Sequence, residues 1–227
     1  MNKESNLYTV IYAGVLVIVV AAALAFTNQA LKETQKKNED IDKKIQILRC
    51  LNVTANTKEV EAKYDELIKE SFLVNKDGSK AEGDAFKEDI AKAYANGTAL
   101  PVFVAKVDGA TKYVFAMRGT GLWGPIWGYL SLNDDKNTVF GTDFSNAGET
   151  PGLGAEISTS KFSSQFAGKQ IFKNGEFKSI AIVKPGKTAE GQDYVDGISG
   201  GTITSQGANR MIYDSLNNYV EFIKQNN

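Results

Sequence analysis

The stretch Asp196-Gly197-Ile198-Ser199-Gly200-Gly201-Thr202-Ile203-Thr204-Ser205 gathers glycines and hydroxyls just ahead of a segment with helical periodicity. Gly197, Gly200 and Gly201 permit backbone conformations closed to other residues and let a bulky group come close to the chain. Ser205 is placed to cap the helix expected to follow, and the free N–H groups of a first helical turn favour an anion. A phosphate beside Thr202 would therefore sit in a suitable field. The same residues also make an ordinary tight turn whose hydroxyls serve only as caps. Local chemistry leaves both readings open.

Absent residue types narrow the chemistry. The chain of 227 residues has no histidine, which removes the usual general base, the Ser-His-Asp arrangement and every histidine-containing metal site. Its one cysteine, Cys50, cannot form an internal disulfide, a zinc site or an iron–sulfur centre within the chain, and its Leu-Arg-Cys-Leu setting reads as a packed thiol at a helix end. Redox chemistry here would need an organic cofactor or a group shared with another chain. With 26 basic and 27 acidic residues, no charge excess points to nucleic acid as a partner.

The elements around the glycine turn suggest an α+β domain behind a membrane anchor. No charge falls between Ser5 and Leu31, and residues 7–27 give the roughly 20 apolar positions that cross a bilayer. Tyr8 and Tyr12 suit the headgroup level. Ala23-Leu24-Ala25 also fits a signal-peptide cleavage site, but the long apolar run and the weakly basic lead, with Lys3 offset by Glu4, favour an uncleaved helix. The flanking lysines do not by themselves decide orientation.

A short tail (1–6), the span (7–27), a polar connecting helix (28–55) and one domain (56–227) are the expected divisions. Within the domain, Asn56-Thr57 can cap a helix through Glu70, and Ala81 to Tyr94 is a further amphipathic candidate. The period then changes to two around Val102, Tyr113, Trp127 and Val139, and Ile180 to Val183 continues it. A helix from about Ser205 to Lys224 closes the chain. A largely antiparallel sheet flanked by helices follows from that order.

Residues 196–202 resemble the flavinylation motif Asp-Gly-x-Ser/Thr-Gly-Ala-Thr/Ser of the FMN-binding domain family. Asp196, Gly197, Ser199 and Gly200 match, while Gly201 stands where the motif has alanine. The resemblance implies FMN joined by a phosphodiester to Thr202, attached by a separate flavin transferase that uses FAD and magnesium and recognises Asp196 and Gly197. Thr204, two residues past the motif's end, is the rival acceptor. Gly148-Glu149-Thr150-Pro151-Gly152-Leu153-Gly154 resembles a second loop of the family that contributes flavin contacts. There Thr150 could bond polar flavin edges and Leu153 could pack on the ring, with Glu149 fixing the loop. Lys184 could offset the phosphate or be a solvated strand end, and Trp123 is either an aromatic contact for the flavin edge or a packing residue, as is Trp127.

Gly-Leu-Trp followed by Gly-Tyr-Leu-Ser-Leu is most similar to the C subunits of sodium-translocating NADH:quinone oxidoreductases, with the G subunits of Rnf-type complexes as close relatives. This implies a single-pass inner-membrane electron relay, its domain periplasmic, working beside other subunits of a membrane redox complex. No catalytic side chain and no metal ligand is expected. A stand-alone flavin reductase or a scaffold sharing the fold are the other readings. A threonine hydroxyl with no histidine to activate it argues against self-modification.

Overall fold

The computed structural model describes residues 6–225, so the expected tail at 1–6 lies almost wholly outside the described residues. The chain forms two units, 1–43 and 44–227. Helix α1 (Asn6–Cys50) is unbroken at the expected 27/28 division. In the first unit it carries an 18-residue window of mean hydropathy 2.6, none of it buried within the protein, which is long and apolar enough to cross a membrane. Val10, Val17, Ile18 and Phe26 all stand exposed. The Thr27 hydroxyl is turned back onto the carbonyl of Ala23 at 2.8 Å, which hides its polarity. One N-terminal helix of this kind is consistent with a single-pass anchor.

The second unit begins with the last turn of α1, which is core rather than connector. Ile47, Leu48, Cys50 and Leu51 are fully buried. The carbonyl of Cys50 accepts the hydroxyl of Ser131 at 2.5 Å, and the Arg49 guanidinium grips Asp143 through two bonds of 2.9 and 3.0 Å. Cys50 is a packed thiol whose own S–H points to the carbonyl of Ile47, and burial, with the nearby Asp143 charge, pushes its pKa up.

Helix α2 (Val60–Leu67) follows, then β1 (Ile68–Val74) and β2 (Lys80–Ala81). Helix α3 (Ile90–Asn96) leads to β3 (Leu100–Val107), β4 (Ala110–Thr120), β5 (Pro125–Leu132) and β6 (Val139–Asn146). These six strands make one antiparallel sheet in the order β2-β1-β3-β4-β5-β6. After it come α4 (Ser160–Ser163), the small hairpin of β7 (Phe172–Lys173) with β8 (Glu176–Phe177), and a parallel pair, β9 (Ile180–Val183) with β10 (Asp193–Asp196). Helices α5 (Thr202–Asn217) and α6 (Val220–Lys224) end the fold. The architecture is α+β, as the sequence pattern predicts.

Three element boundaries differ from that pattern. The helix expected through Glu70 stops at Leu67, because Ile68 turns extended and residues 68–74 pair with β3. Ladder hydrogen bonds and the buried Leu73 and Val74 outweigh local helix preference there. The helix expected over 81–94 begins only at Ile90, where Asp89 accepts the N–H groups of Ala91 and Lys92 at 3.1 and 3.2 Å. The closing helix starts at Thr202 instead of Ser205 and is divided at Asn218-Tyr219.

Helix α5 is held on the sheet by an aromatic anchor just past its end. Tyr219 is fully buried, its ring 4.9 Å from that of Phe115 and its hydroxyl shared between the carbonyls of Pro101 at 3.1 Å and Ala116 at 3.3 Å. Burying a ring of this size while satisfying its hydroxyl is a strong fixing device. On β6 and the turns after it, Phe144, Phe162 and Phe166 pack with ring centres 5.2–5.4 Å apart. At the other end of α5, Thr204 of the first turn packs against Gly154 of the glycine-rich loop.

Candidate functional site

The glycine turn is built as a rigid bridge from strand to helix. In the parallel pair Asp196 sits opposite Val183, and Gly197 N–H continues the ladder to the Val183 carbonyl at 2.7 Å. Gly201 N–H closes the turn on Ile198 at 3.0 Å. Gly200 has φ of 77°, a left-handed conformation that glycine adopts without strain. The Gln165 side chain clamps the main chain of Asp196 on both sides, accepting its N–H at 3.0 Å and donating to its carbonyl at 3.3 Å.

Ser205 has a different task from the expected one. Gly201 occupies the cap position of α5 with no side-chain cap, and Ser205 lies inside the helix, its hydroxyl accepting the N–H of Ile198 at 2.9 Å. The turn is tied to the helix it precedes. The N–H groups of residues in the first turn of α5 lack partners within the helix, and with no acidic residue there the positive end of its dipole is free to meet an anion.

The two hydroxyls that compete in the sequence are separated by burial. Thr202 is exposed at the first position of α5. Thr204 is 1% exposed, and its hydroxyl donates to Oε2 of Glu149 at 2.5 Å. Of the two, only the Thr202 oxygen is accessible to a large reagent.

Glu149 is itself 5% exposed. Its Oε1 accepts the N–H of Trp123 at 2.8 Å. Burial raises its pKa, but the Thr204 hydroxyl and the backbone amides of the Trp123 segment outweigh burial and hold the carboxyl below its ordinary value. A side chain at Gly121 or Gly154 would collide with the same carboxylate, so the glycines are what let three segments converge on it. The carboxylate therefore faces inward, as a fixing group, and offers no surface for a ligand.

Two adjoining cavities flank the turn. One, of about 330 Å³, is lined by Ile182, Lys184, Gly197, Ser199, Gly200 and Thr202, together with Gln206 one helical turn further on. The other, of about 580 Å³, is lined by Gly152, Lys161, Phe162, Gln165 and Asp196 among others, and shares Pro185, Gly197, Ile198 and Ser199 with the first. Both volumes fall in the range of small-ligand pockets.

The residues singled out in the sequence differ in placement and in exposure. Ser199, Gly200, Thr202 and Lys184 line the same cavity, Gly201 is buried, and Leu153 lies against Gly200. Thr150 is exposed, and its carbonyl accepts the N–H groups of Leu153 and Ala155 at 3.1 Å. Leu122, Trp123, Leu153 and Ile203 are 48, 69, 43 and 51% exposed, leaving apolar surface in these same segments. Trp123 is a surface residue, whereas Trp127 is half-buried and donates to Gln46 Oε1 at 3.2 Å. Gln165 and Gln206 are additions that the sequence pattern does not single out. Gln206 lies four residues after Thr202, a spacing visible once α5 is started at Thr202.

The fit to a flavin phosphate and ring is good. The cavity beside Thr202 combines a lysine, a free helix N-terminus and a glycine cradle with the apolar Ile182 and Ile198.

Residues 121–217 match the FMN-binding domain model. The chain is 30% identical to the C subunit of the Na(+)-translocating NADH-quinone reductase of Vibrio parahaemolyticus, over 84% of this chain and 81% of the relative. With the same protein of Vibrio anguillarum it shares 29% identity, over 91% and 88%. The crystal structure of the Parabacteroides distasonis counterpart is 60% identical, with a TM-score of 0.84 over 87% of this chain and 98% of the other. NqrC of Shewanella oneidensis superposes with a TM-score of 0.69 at 27% identity, over 85% and 98%. The chain belongs to the FMN-binding-domain family, among the C subunits of Na(+)-translocating NADH-quinone reductases.

Proposed function

We propose that this chain is the electron-relaying C subunit of a sodium-translocating NADH:quinone oxidoreductase, carrying FMN as a phosphodiester on Thr202. The observation that carries the reading is the exposed Thr202 hydroxyl at an uncapped helix N-terminus, beside a cavity that also holds Lys184. The names of the relatives support the assignment to such a complex.

Each neighbouring group has a defined task. The first-turn N–H groups of α5 and the Lys184 ammonium offset the charge of the phosphodiester. Gly200 and Gly201 leave room for it, and Ser199 lies within reach of its oxygens along the cavity wall. Leu153 and Trp123 offer apolar surface to the ring, and Thr150 a polar contact at its edge. Asp196 and Gly197 present the turn to the transferase. When bound, FMN supplies exchange of one or two electrons.

Attachment needs an outside enzyme. The Thr202 oxygen forms a bond to the FMN-side phosphorus of FAD, the pyrophosphate bond breaks, AMP departs and the hydroxyl proton passes to the transferase. The chain has no histidine to take that proton, and the neighbouring Glu149 is buried and already occupied as an acceptor.

The anchor helix holds the protein in the inner membrane, with the domain on the periplasmic side. A tether suits a relay there, because an attached cofactor cannot diffuse away. The single span has no ionisable residue of the Asp, Glu, Lys or Arg type between Leu7 and Thr27, so the sodium path belongs to partner subunits. The test is ultraviolet fluorescence of the denatured band from cells containing the transferase. The wild-type chain fluoresces and Thr202→Ala stays dark; a fluorescent Thr202→Ala band overturns the assignment.

A further inference from the structure

Two carboxylate oxygens of Glu149 do separate work. One takes the Thr204 hydroxyl in the first turn of α5, and the other takes the amide of Trp123 from the loop before β5. Glu149 sits on a third segment, the loop after β6, held from behind by Asn146, whose side-chain oxygen accepts the Glu149 N–H at 2.9 Å. Three segments distant in sequence are therefore joined at one buried charge. Glutamine would offer one acceptor atom where Glu149 uses two on opposite partners, and in a site this enclosed an unpaired partner is costly.

We infer that Glu149 and Thr204 form a positioning latch that orients the acceptor turn and the Trp123 loop for FMN transfer onto Thr202. Thr204 is two residues beyond Thr202 on the same helical turn, so anchoring its hydroxyl sets the rotation of α5 about its axis and with it the direction of the Thr202 oxygen. The latch also withdraws Thr204 as a rival acceptor. Neither residue touches the transferred phosphate. The inference rests on Thr202 being the acceptor and adds residues that act through it.

The test is the initial rate of FMN incorporation into the full-length chain in detergent, using purified flavin transferase, FAD and magnesium. Rates are taken per folded molecule, with the folded fraction read by resistance to trypsin. Thr204→Ser keeps the hydroxyl and incorporates within about twofold of wild type. Thr204→Val removes it at similar volume and slows incorporation about tenfold. Glu149→Ala is slow as well, and the double variant Glu149→Ala/Thr204→Val is scarcely slower than either single one, as expected of a shared contact.

Wild-type rates in Thr204→Val and Glu149→Ala would overturn the latch, as would equal losses in Thr204→Ser and Thr204→Val. A loss that disappears on correction for folded fraction would also overturn it, reducing the pair to a stability contact. Failure of wild-type protein to take up FMN would instead overturn the assignment of Thr202.

Discussion

The Thr204 hydroxyl lies 2.5 Å from Oε2 of Glu149, a residue 55 positions earlier in the chain, and both are at most 5% exposed. This bond should impose an acid limit. The folded-state pKa of Glu149 is held below its ordinary value of 4.5 by hydroxyl and amide donors that outweigh burial. A depressed carboxyl contributes stability that is fully present above its unfolded pKa and is lost as pH falls through the folded one. Melting temperatures of wild type and Glu149→Gln, measured from pH 7 to pH 3, should differ by a constant amount above about pH 5 and converge below it. A gap that stays constant down to pH 3 would contradict the ionised latch.

The two glycines before the acceptor should respond differently to alanine. At Gly201, with φ of −106°, an added methyl would sit 3.1 Å from Ile198 and 3.3 Å from Gly154 Cα. That is tight but relieved by small shifts, and alanine is what the resembled motif carries. Gly201→Ala should melt within about 2 °C of wild type and keep its FMN. Gly200→Ala must hold a φ of 77° and displace Leu153, so it should lose about 1–2 kcal/mol, or roughly 2–8 °C for a domain of this size. Differential scanning fluorimetry separates the two outcomes.

Much of this site is legible in the sequence, and the illegible part has a common cause. The two glycine-rich loops, the apolar N-terminal helix and the alternating strands announce themselves through local pattern. Contacts between distant segments leave no such mark: Glu149 with Thr204, Gln165 with Asp196, and the parallel pairing of β9 with β10. Local pattern misplaces the start of α5 because Ser205 has the right side chain for a cap, while the actual cap, Gly201, has none. Residues 68–70 continue a helical pattern and are drawn into β1 only by the strand beside them.

The end of α1 makes a separate prediction. Arg49 is half-exposed, but its partner Asp143 is 11% exposed at the side chain, and desolvation raises the Asp143 pKa despite the guanidinium beside it. Removing the arginine leaves a carboxylate poorly solvated and without its countercharge. Arg49→Ala should cost about 1–3 kcal/mol, the partial exposure placing it below a fully buried pair. Chemical denaturation of the detergent-purified chain gives the value directly, and an unchanged midpoint would contradict a structural role for the pair.

Lys184 tests the electrostatics of the cavity. If its charge offsets the phosphodiester, Lys184→Glu should slow FMN incorporation about tenfold, and Lys184→Arg should leave it within about threefold of wild type. Because Lys184 is exposed at a strand end, neither change should move the melting temperature by more than about 2 °C. Equal incorporation in all three proteins would show that the lysine is only a solvated strand end.

The most direct test of the central claim is the mass of the intact chain purified from membranes of cells with an active flavin transferase, followed by peptide mapping. The account predicts one adduct equal to FMN less one water, located on Thr202, with Thr204 in the same peptide unmodified. An unmodified peptide, or an adduct on Thr204, would contradict it.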